Sequence, residues 1–160
     1  MQSKVIIGID PGTTIVGFGI IKKDKRSNLR AISYGIIKTP PKIKPSKKLS
    51  KIYQEVISLF KKIKPTEVAI EKIFFFSNSK TAFQVGEARG IILLAAEKLG
   101  IPTYEYTPLQ IKQAVSSYGR ASKNQIQKMV KLILKLNKVP RPDDAADALA
   151  IAICHADSKK

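Results

Sequence analysis

The first forty residues read as three consecutive strands with no helix among them. KVIIGID (4–10), IVGFGIIKK (15–23) and LRAISYGIIKT (29–39) are apolar and β-branched, and short turns separate them, the first of which is Asp-Pro-Gly. Strands joined this tightly form an antiparallel meander. A Lys- and Pro-rich connector at 40–45 follows, and the period then changes. Leu49, Ile52, Tyr53, Val56, Ile57, Phe60 and Ile63 make one apolar helical stripe, which Pro65 stops. From there strand and helix alternate. TEVAIE (66–71) and PTYEY (102–106) read as short strands, and 78–99 as a helix. Thr107-Pro108 opens a helix through Val115, Ser122 caps another over 123–136, and Pro142 and Asp143 open the last. This order implies one α/β domain with a five-stranded mixed sheet and helices on both faces. The domain is expected to span 1–157, with 158–160 a short basic tail.

Charge narrows the function classes. The 160 residues carry 29 Lys and Arg against 12 Asp and Glu, a net charge of +17. Lysines cluster at Lys22, Lys23 and Lys25, from Lys38 to Lys51, and at Lys61, Lys62 and Lys64. A charge run is usually a solvated face, but a whole chain this basic points to a polyanionic partner. No run reaches the roughly 18 apolar residues of a membrane span, and no basic amphipathic helix with an aromatic face stands out. Nucleic acid is therefore expected rather than membrane, in the cytoplasm. Cys154 is the only cysteine, which excludes an internal disulfide and a cysteine-built zinc cage. His155 is the only histidine, and its place near the end of the last helix reads as a solvated helix end.

Against this positive background, a few carboxylates fall at the ends of elements. Asp10 ends the first strand and Glu71 the fourth. If those strands are parallel neighbours, both side chains emerge at one edge of the sheet. Asp144 and Asp147 are three apart and share a face of the last helix, with Asp143 beside them. Each has a plainer reading: a hairpin turn at Asp10, a solvated strand end at Glu71, a capping arrangement in DDAAD. Together they would make a cluster that cannot be fully ionised alone, and hard divalent cations such as Mg²⁺ or Mn²⁺ resolve that repulsion. Two such ions activate water and stabilise the leaving oxygen of a phosphodiester without a histidine base.

The motifs GIDPGTTIVGFG, AIEKIFFFSN, GEARG and DDAADALAIA, in that order over almost the whole chain, resemble the bacterial RuvC family of Holliday-junction resolvases. The resemblance implies a ribonuclease-H-like fold and a homodimer. It also implies Mg²⁺-dependent paired symmetric nicking of four-way DNA junctions in recombination and repair, with 5′-phosphate and 3′-hydroxyl ends. Two Mg²⁺ per subunit are implied, with Mn²⁺ as a substitute, as is cooperation with a branch-migration motor of the RuvA/RuvB type. By position, Asp10, Glu71, Asp144 and Asp147 match the family's metal-binding catalytic acids. Phe74 matches an aromatic that contacts or unstacks bases, its alternative being a loop anchor. Lys112 and Lys123 match basic residues near the cleavage site, their alternative being ordinary helix lysines. Two positions depart from the pattern. Asp143 is an additional acid, either a helix cap or a stand-in for Asp144. Lys72 follows Glu71 where the family often has a neutral amide, and strand alternation turns it away from the carboxylates.

Two other readings share part of this pattern. GIDPGTT also resembles the phosphate loop of actin- and Hsp70-like ATP-binding lobes, but those need two lobes around a nucleotide. A ribonuclease-H-like nuclease acting on RNA would use the same acids. The helix at 78–99 adds one expectation. Its second half, GIILLAA, is apolar on nearly every side, and Gly86 and Gly90 allow close approach, so a symmetric dimer through this helix is expected.

Overall fold

The computed structural model describes residues 3–74 and 79–158. β1 (Lys4–Asp10), β2 (Ile15–Lys23), β3 (Leu29–Lys38), β4 (Glu67–Glu71) and β5 (Thr103–Tyr106) form one sheet in the order β3-β2-β1-β4-β5. The described helices are α1 (Pro45–Ile63), α2 (Ser79–Lys98), α3 (Pro108–Ser116), α4 (Lys123–Ile133) and α5 (Asp143–Ser158). The meander is present as expected, with β1–β2 and β2–β3 antiparallel. The crossover through α1 returns β4 parallel to β1, and the crossover through α2 returns β5 parallel to β4. The sheet is therefore mixed, and β1 is its junction between antiparallel and parallel pairing.

Strand alternation divides the core in two. Ile7, Ile9, Val68 and Ile70 face α1 and α2, where they meet Ile52, Val56 and Phe60 of α1 and Ala88, Ile92 and Ala95 of α2. Ile6 and Ala69 face the other side, with Ile111 and Val115 of α3, Ile126 and Val130 of α4, and Leu149 to Ile153 of α5. Fully burying one such aliphatic side chain is worth about 1.5–3 kcal/mol, so these buried residues are what chiefly holds the helices to the sheet.

The helix α5 lies closer to the sheet than side chains would permit. A Cβ on Gly8 would stand 2.1 Å from the backbone oxygen of Ala148, and one on Gly17 would stand 2.1 Å from that of Asp144. These glycines of β1 and β2 leave a bare backbone on which the alanine-rich helix rests. Ala145, Ala146 and every residue from Ala148 to Ala156 are buried.

Two expectations need correction. The helix expected over 123–136 stops at Ile133, because Lys135 turns left-handed (φ 53°) and the Leu136 N–H reaches back to the Lys131 oxygen at 2.9 Å. His155 is not a solvated helix end but is completely buried. Its Nε2 lies 2.9 Å from Glu67 Oε2 and its Nδ1 2.6 Å from the Tyr106 hydroxyl, with Tyr104 stacked on the ring at 4.6 Å. α5 crosses the middle of the sheet, so even its last turns are covered. The expected tail begins inside α5, which includes Ser158, while 159–160 lie outside the described residues. The expected start of α2 at Asn78, and Phe75 to Ser77 before it, also lie outside them.

Candidate active site

The carboxyl ends of β1 and β4 open into a cleft of about 310 Å³, lined by Asp10, Glu71, Lys112, Lys123 and Asp147 over a floor that includes Ile111, Ile126 and Ala150. The register accounts for the first pair. Ile9 of β1 lies opposite Ile70 of β4 in a parallel pairing, so the next residues, Asp10 and Glu71, leave the sheet side by side on the α5 face. Such a carboxyl-end crevice is where open α/β sheets place their ligands.

Asp147 comes from the second turn of α5 and reaches the cleft because α5 is seated on Gly8 and Gly17. Asp144 sits one turn earlier. It does not line the cleft itself, and its backbone rests over Gly17, the pairing partner of Asp10. Asp143 does not line the cleft either. Its carboxylate accepts from Gln127 Nε2 at 3.0 Å and from Arg141, and lies 3.6 Å from Lys123 Nζ. Those contacts, led by Gln127, hold its carboxyl below the ordinary range. Asp143 thus ties the start of α5 to α4.

The two basic residues arrive on capped helices. Thr107 and Gln110 form a reciprocal capping box at the start of α3, and Ser122 and Gln125 form another at the start of α4. These fix the starts of the helices that carry Lys112 and Lys123 to the cleft. Lys123 Nζ lies 3.3 Å from Asp147 Oδ2. Burial works against its ammonium, but Asp147 and Asp143 outweigh it and raise its pKa.

The electrostatics shows how strained this group is. Burial, then Glu71, Asp147 and Asp144, push the Asp10 carboxyl up to about 8, with Lys123 acting in the opposite sense. Glu71 is raised by burial and by Asp147, and Lys112 opposes the shift. Asp147 is raised by burial and by Asp144, against Lys123. As the side chains stand, no three His, Cys, Asp or Glu among the described residues converge closely enough to hold a metal ion. The ammonium of Lys123 pairs with one of the carboxylates, Asp147. The donor chemistry still fits a hard divalent cation. It is all carboxylate oxygen, partly desolvated, on the ends of β1 and β4 and the first turns of α5.

Phe74 lies three residues beyond Glu71, 47% exposed, on the wall of a neighbouring apolar cleft that also includes Pro11, Glu71, Val85 and Pro108. The two clefts share Glu71 and Pro108. Lys72 borders only the second, as strand alternation requires. On α2, Ala88, Ile92, Ala95 and Ala96 are buried against the sheet, whereas Phe83 (67%) and Leu94 (46%) are exposed and a Cβ at Gly86 or Gly90 would meet nothing within 4 Å.

The family profile described as "Crossover junction endodeoxyribonuclease RuvC" matches residues 6–155. The chain belongs to the RuvC family. A relative from Halothermothrix orenii, named crossover junction endodeoxyribonuclease RuvC, is 51% identical over 96% of this chain and 93% of its own. One of the same name from Brevibacillus brevis is 54% identical over 94% and 90%. Among solved structures, Thermus thermophilus RuvC in complex with a Holliday junction substrate superposes with a TM-score of 0.86 at 36% identity, covering 95% of this chain and 92% of that one. The fold is ribonuclease-H-like, as the motifs implied. A yeast mitochondrial Holliday junction resolvase shares it at a TM-score of 0.68 and 17% identity. Within this family the glycines that seat α5 are the feature that motif reading passed over. Their signal was present as glycines at Gly8, Gly17 and Gly19, on strands that otherwise favour β-branched residues.

Proposed function

We propose that this protein is a divalent-metal-dependent endonuclease of one nuclease domain that resolves Holliday junctions by paired symmetric nicks, leaving 5′-phosphate and 3′-hydroxyl ends. The observation that carries the reading is the gathering of Asp10, Glu71 and Asp147, with Asp144 behind them, at one edge of a sheet in a chain of net charge +17. Bare carboxylates repel phosphate, so a chain this basic that gathers them in one cleft uses them with a cation.

Asp10, Glu71, Asp144 and Asp147 would hold two Mg²⁺, or Mn²⁺ in their place. Bound there, the ions supply an activated water and stabilise the leaving oxygen. The ammonium groups of Lys112 and Lys123 bind and orient the non-bridging oxygens of the scissile phosphate. Ile111, Ile126 and Ala150 exclude water from the cleft floor, which strengthens every charge interaction above them. Phe74 contacts an unstacked base beside the cut strand. The protein acts as a homodimer through the exposed face of α2, whose two-fold axis matches that of the junction, so each subunit cuts one of two like strands. It works in the cytoplasm with a branch-migration motor of the RuvA/RuvB type.

The test is incubation with a synthetic four-way junction, a linear duplex and a structured RNA, with Mg²⁺ or with EDTA. Symmetric paired nicks on the junction, in metal only, are expected. Equal cutting of RNA, or ATP hydrolysis without nicking, overturns the reading.

A further inference from the structure

Six lysines lie between 38 and 51, namely Lys38, Lys42, Lys44, Lys47, Lys48 and Lys51, and no acid lies among them. They occupy the end of β3, the connector after it and the first two turns of α1. Among the described residues none of the six forms an ion pair, and the contact made by Lys48 is to the Thr14 hydroxyl at 3.5 Å. The first turn of α1 has no acid and no side-chain cap. Lysines at the amino end of a helix oppose its dipole, so the stability of α1 does not explain them.

Their place in the sheet relates them to the cleft. β3 runs parallel to β1 through two antiparallel pairings, so its carboxyl end lies at the same edge as Asp10. Asp10 pairs with Gly17 and Gly17 with Ile36, and Lys38 lies two residues beyond Ile36. Two strand spacings separate β3 from β1, about 10 Å. The turn after Asp10 joins the two regions. Thr39 donates its N–H to the Thr14 oxygen at 2.9 Å and its hydroxyl to the Thr13 oxygen at 2.5 Å. Beyond it a groove of about 340 Å³ between α1 and the β3 edge is bordered by Lys38, Lys51 and Lys62, with Glu55 as its one carboxylate.

We propose that this surface is a second phosphate-binding track, which receives a duplex arm of the substrate and leads it away from the cleft. The inference rests on the DNA-cleaving reading above and adds where an arm lies. A row of lysines without ion pairs that begins at the sheet edge shared with Asp10 and runs on through the connector into α1 fits a repeating anion rather than a single small one. DNA advances about 3.4 Å per base along each strand, so a distance of about 10 Å puts Lys38 roughly three nucleotides from the cut. The phosphate contacts would be electrostatic and independent of sequence.

The test compares the full chain with a variant carrying Lys44→Gln, Lys47→Gln, Lys48→Gln and Lys51→Gln, and with a control carrying Lys61→Gln and Lys64→Gln at the far end of α1. Binding to a four-way junction and to a linear duplex is measured in EDTA across a salt series. Each phosphate contact removed lowers the slope of log K against log salt by about 0.9, so the variant should lose about two to four units of slope and the control none. Hydroxyl-radical footprinting should show protection starting roughly three nucleotides from the cut in the parent and missing in the variant. Single-turnover cleavage by saturating variant in Mg²⁺ should remain within about twofold, because these lysines are outside the cleft. An unchanged slope, or a loss of affinity that is the same at every salt concentration, overturns the track. Parent protein that cuts no junction overturns the functional reading instead, while the slopes on linear duplex still decide the track. A parent that binds neither DNA removes both.

Discussion

The backbone of Asp144 rests on Gly17, and a single methyl at position 17 would lie 2.1 Å from the Asp144 oxygen and 2.6 Å from its carbonyl carbon. The obstacle is main chain, not the movable end of a side chain, so α5 must lift. Gly17→Ala should therefore lower stability by about 1–3 kcal/mol, as overpacking does, and should withdraw Asp144 and Asp147 from Asp10. The expected result is a folded protein whose metal-dependent cleavage falls by more than about 10²-fold, since an ångström of misplacement is enough. Circular dichroism melts and cleavage assays on the same preparation check it. Full activity in the variant would mean that α5 does not position these acids.

Asp10→Asn separates chemistry from binding and from folding. Cleavage should be abolished while junction binding at low salt survives, because binding rests on the lysines. In metal-free protein the Asp10 carboxyl is pushed up to about 8 by burial and by its acidic neighbours, from an ordinary 3.8. A carboxyl with a raised folded pKa contributes its stability below the unfolded value and loses it as pH rises through the folded one. The chain in EDTA should thus weaken between about pH 4 and 8 by up to a few kcal/mol, and Asp10→Asn should remove that component. Thermal melts at pH 5 and pH 8 decide it. A variant that melts several degrees lower than the parent at pH 8 without metal would refute the account.

Lys112→Ala tests the phosphate-orienting role. The Lys112 ammonium opposes the raised pKa of Glu71 and lines the cleft. An interaction that strengthens as charge develops affects turnover more than binding. Single-turnover rate should fall by about 10²-fold, while junction affinity changes by less than about fivefold. If the affinity alone changes, Lys112 is an ordinary phosphate contact.

The elements themselves were legible because the local signals agree with the global fold. β-branched runs end at Asp-Pro-Gly, a helix stripe ends at Pro65, and Thr107 and Ser122 cap the helices after them. The pairing of Asp10 with Glu71 was legible once β1 and β4 were taken as parallel neighbours. Less legible was anything set by the path of α5. Its alanines give no periodic stripe to show which side is buried, since both sides are, and so His155 looked solvated. The contacts of Asp143 depend on Gln127 and Arg141, which come from a different helix and a preceding loop. The end of α4 turned on a left-handed lysine, a conformation that sequence does not announce outside glycine and asparagine.

The face of α2 tests the dimer. Phe83 and Leu94 are 67% and 46% exposed, and the space over Gly90 is open. Phe83→Glu with Leu94→Glu removes no core contact, so the subunit fold should persist with melting shifted by little more than the loss of association. Sedimentation should show monomers, and junction nicks should become unpaired. Dimers that survive the double change would place the interface elsewhere.

The buried histidine supplies the last expectation. Lys4 Nζ and His155 Nε2 each lie 2.9 Å from an oxygen of Glu67, and the Tyr106 hydroxyl closes the chain at His155 Nδ1. This network joins the end of α5 to the start of β4, four residues from Glu71 and about 13 Å from the cleft by strand rise. It lies away from the cleft and holds together two of the three elements that carry the acids. His155→Ala removes a partner from a buried carboxylate and a buried hydroxyl and opens a cavity, so a loss of about 3–5 kcal/mol is expected. Turnover at 10–15 °C, where the variant is still folded, should stay within about tenfold of the parent, because none of the cleft's charges has been touched. Urea unfolding and cleavage at that temperature check both halves. A catalytic defect as deep as that of Asp10→Asn, in protein still folded, would place His155 in the chemistry after all.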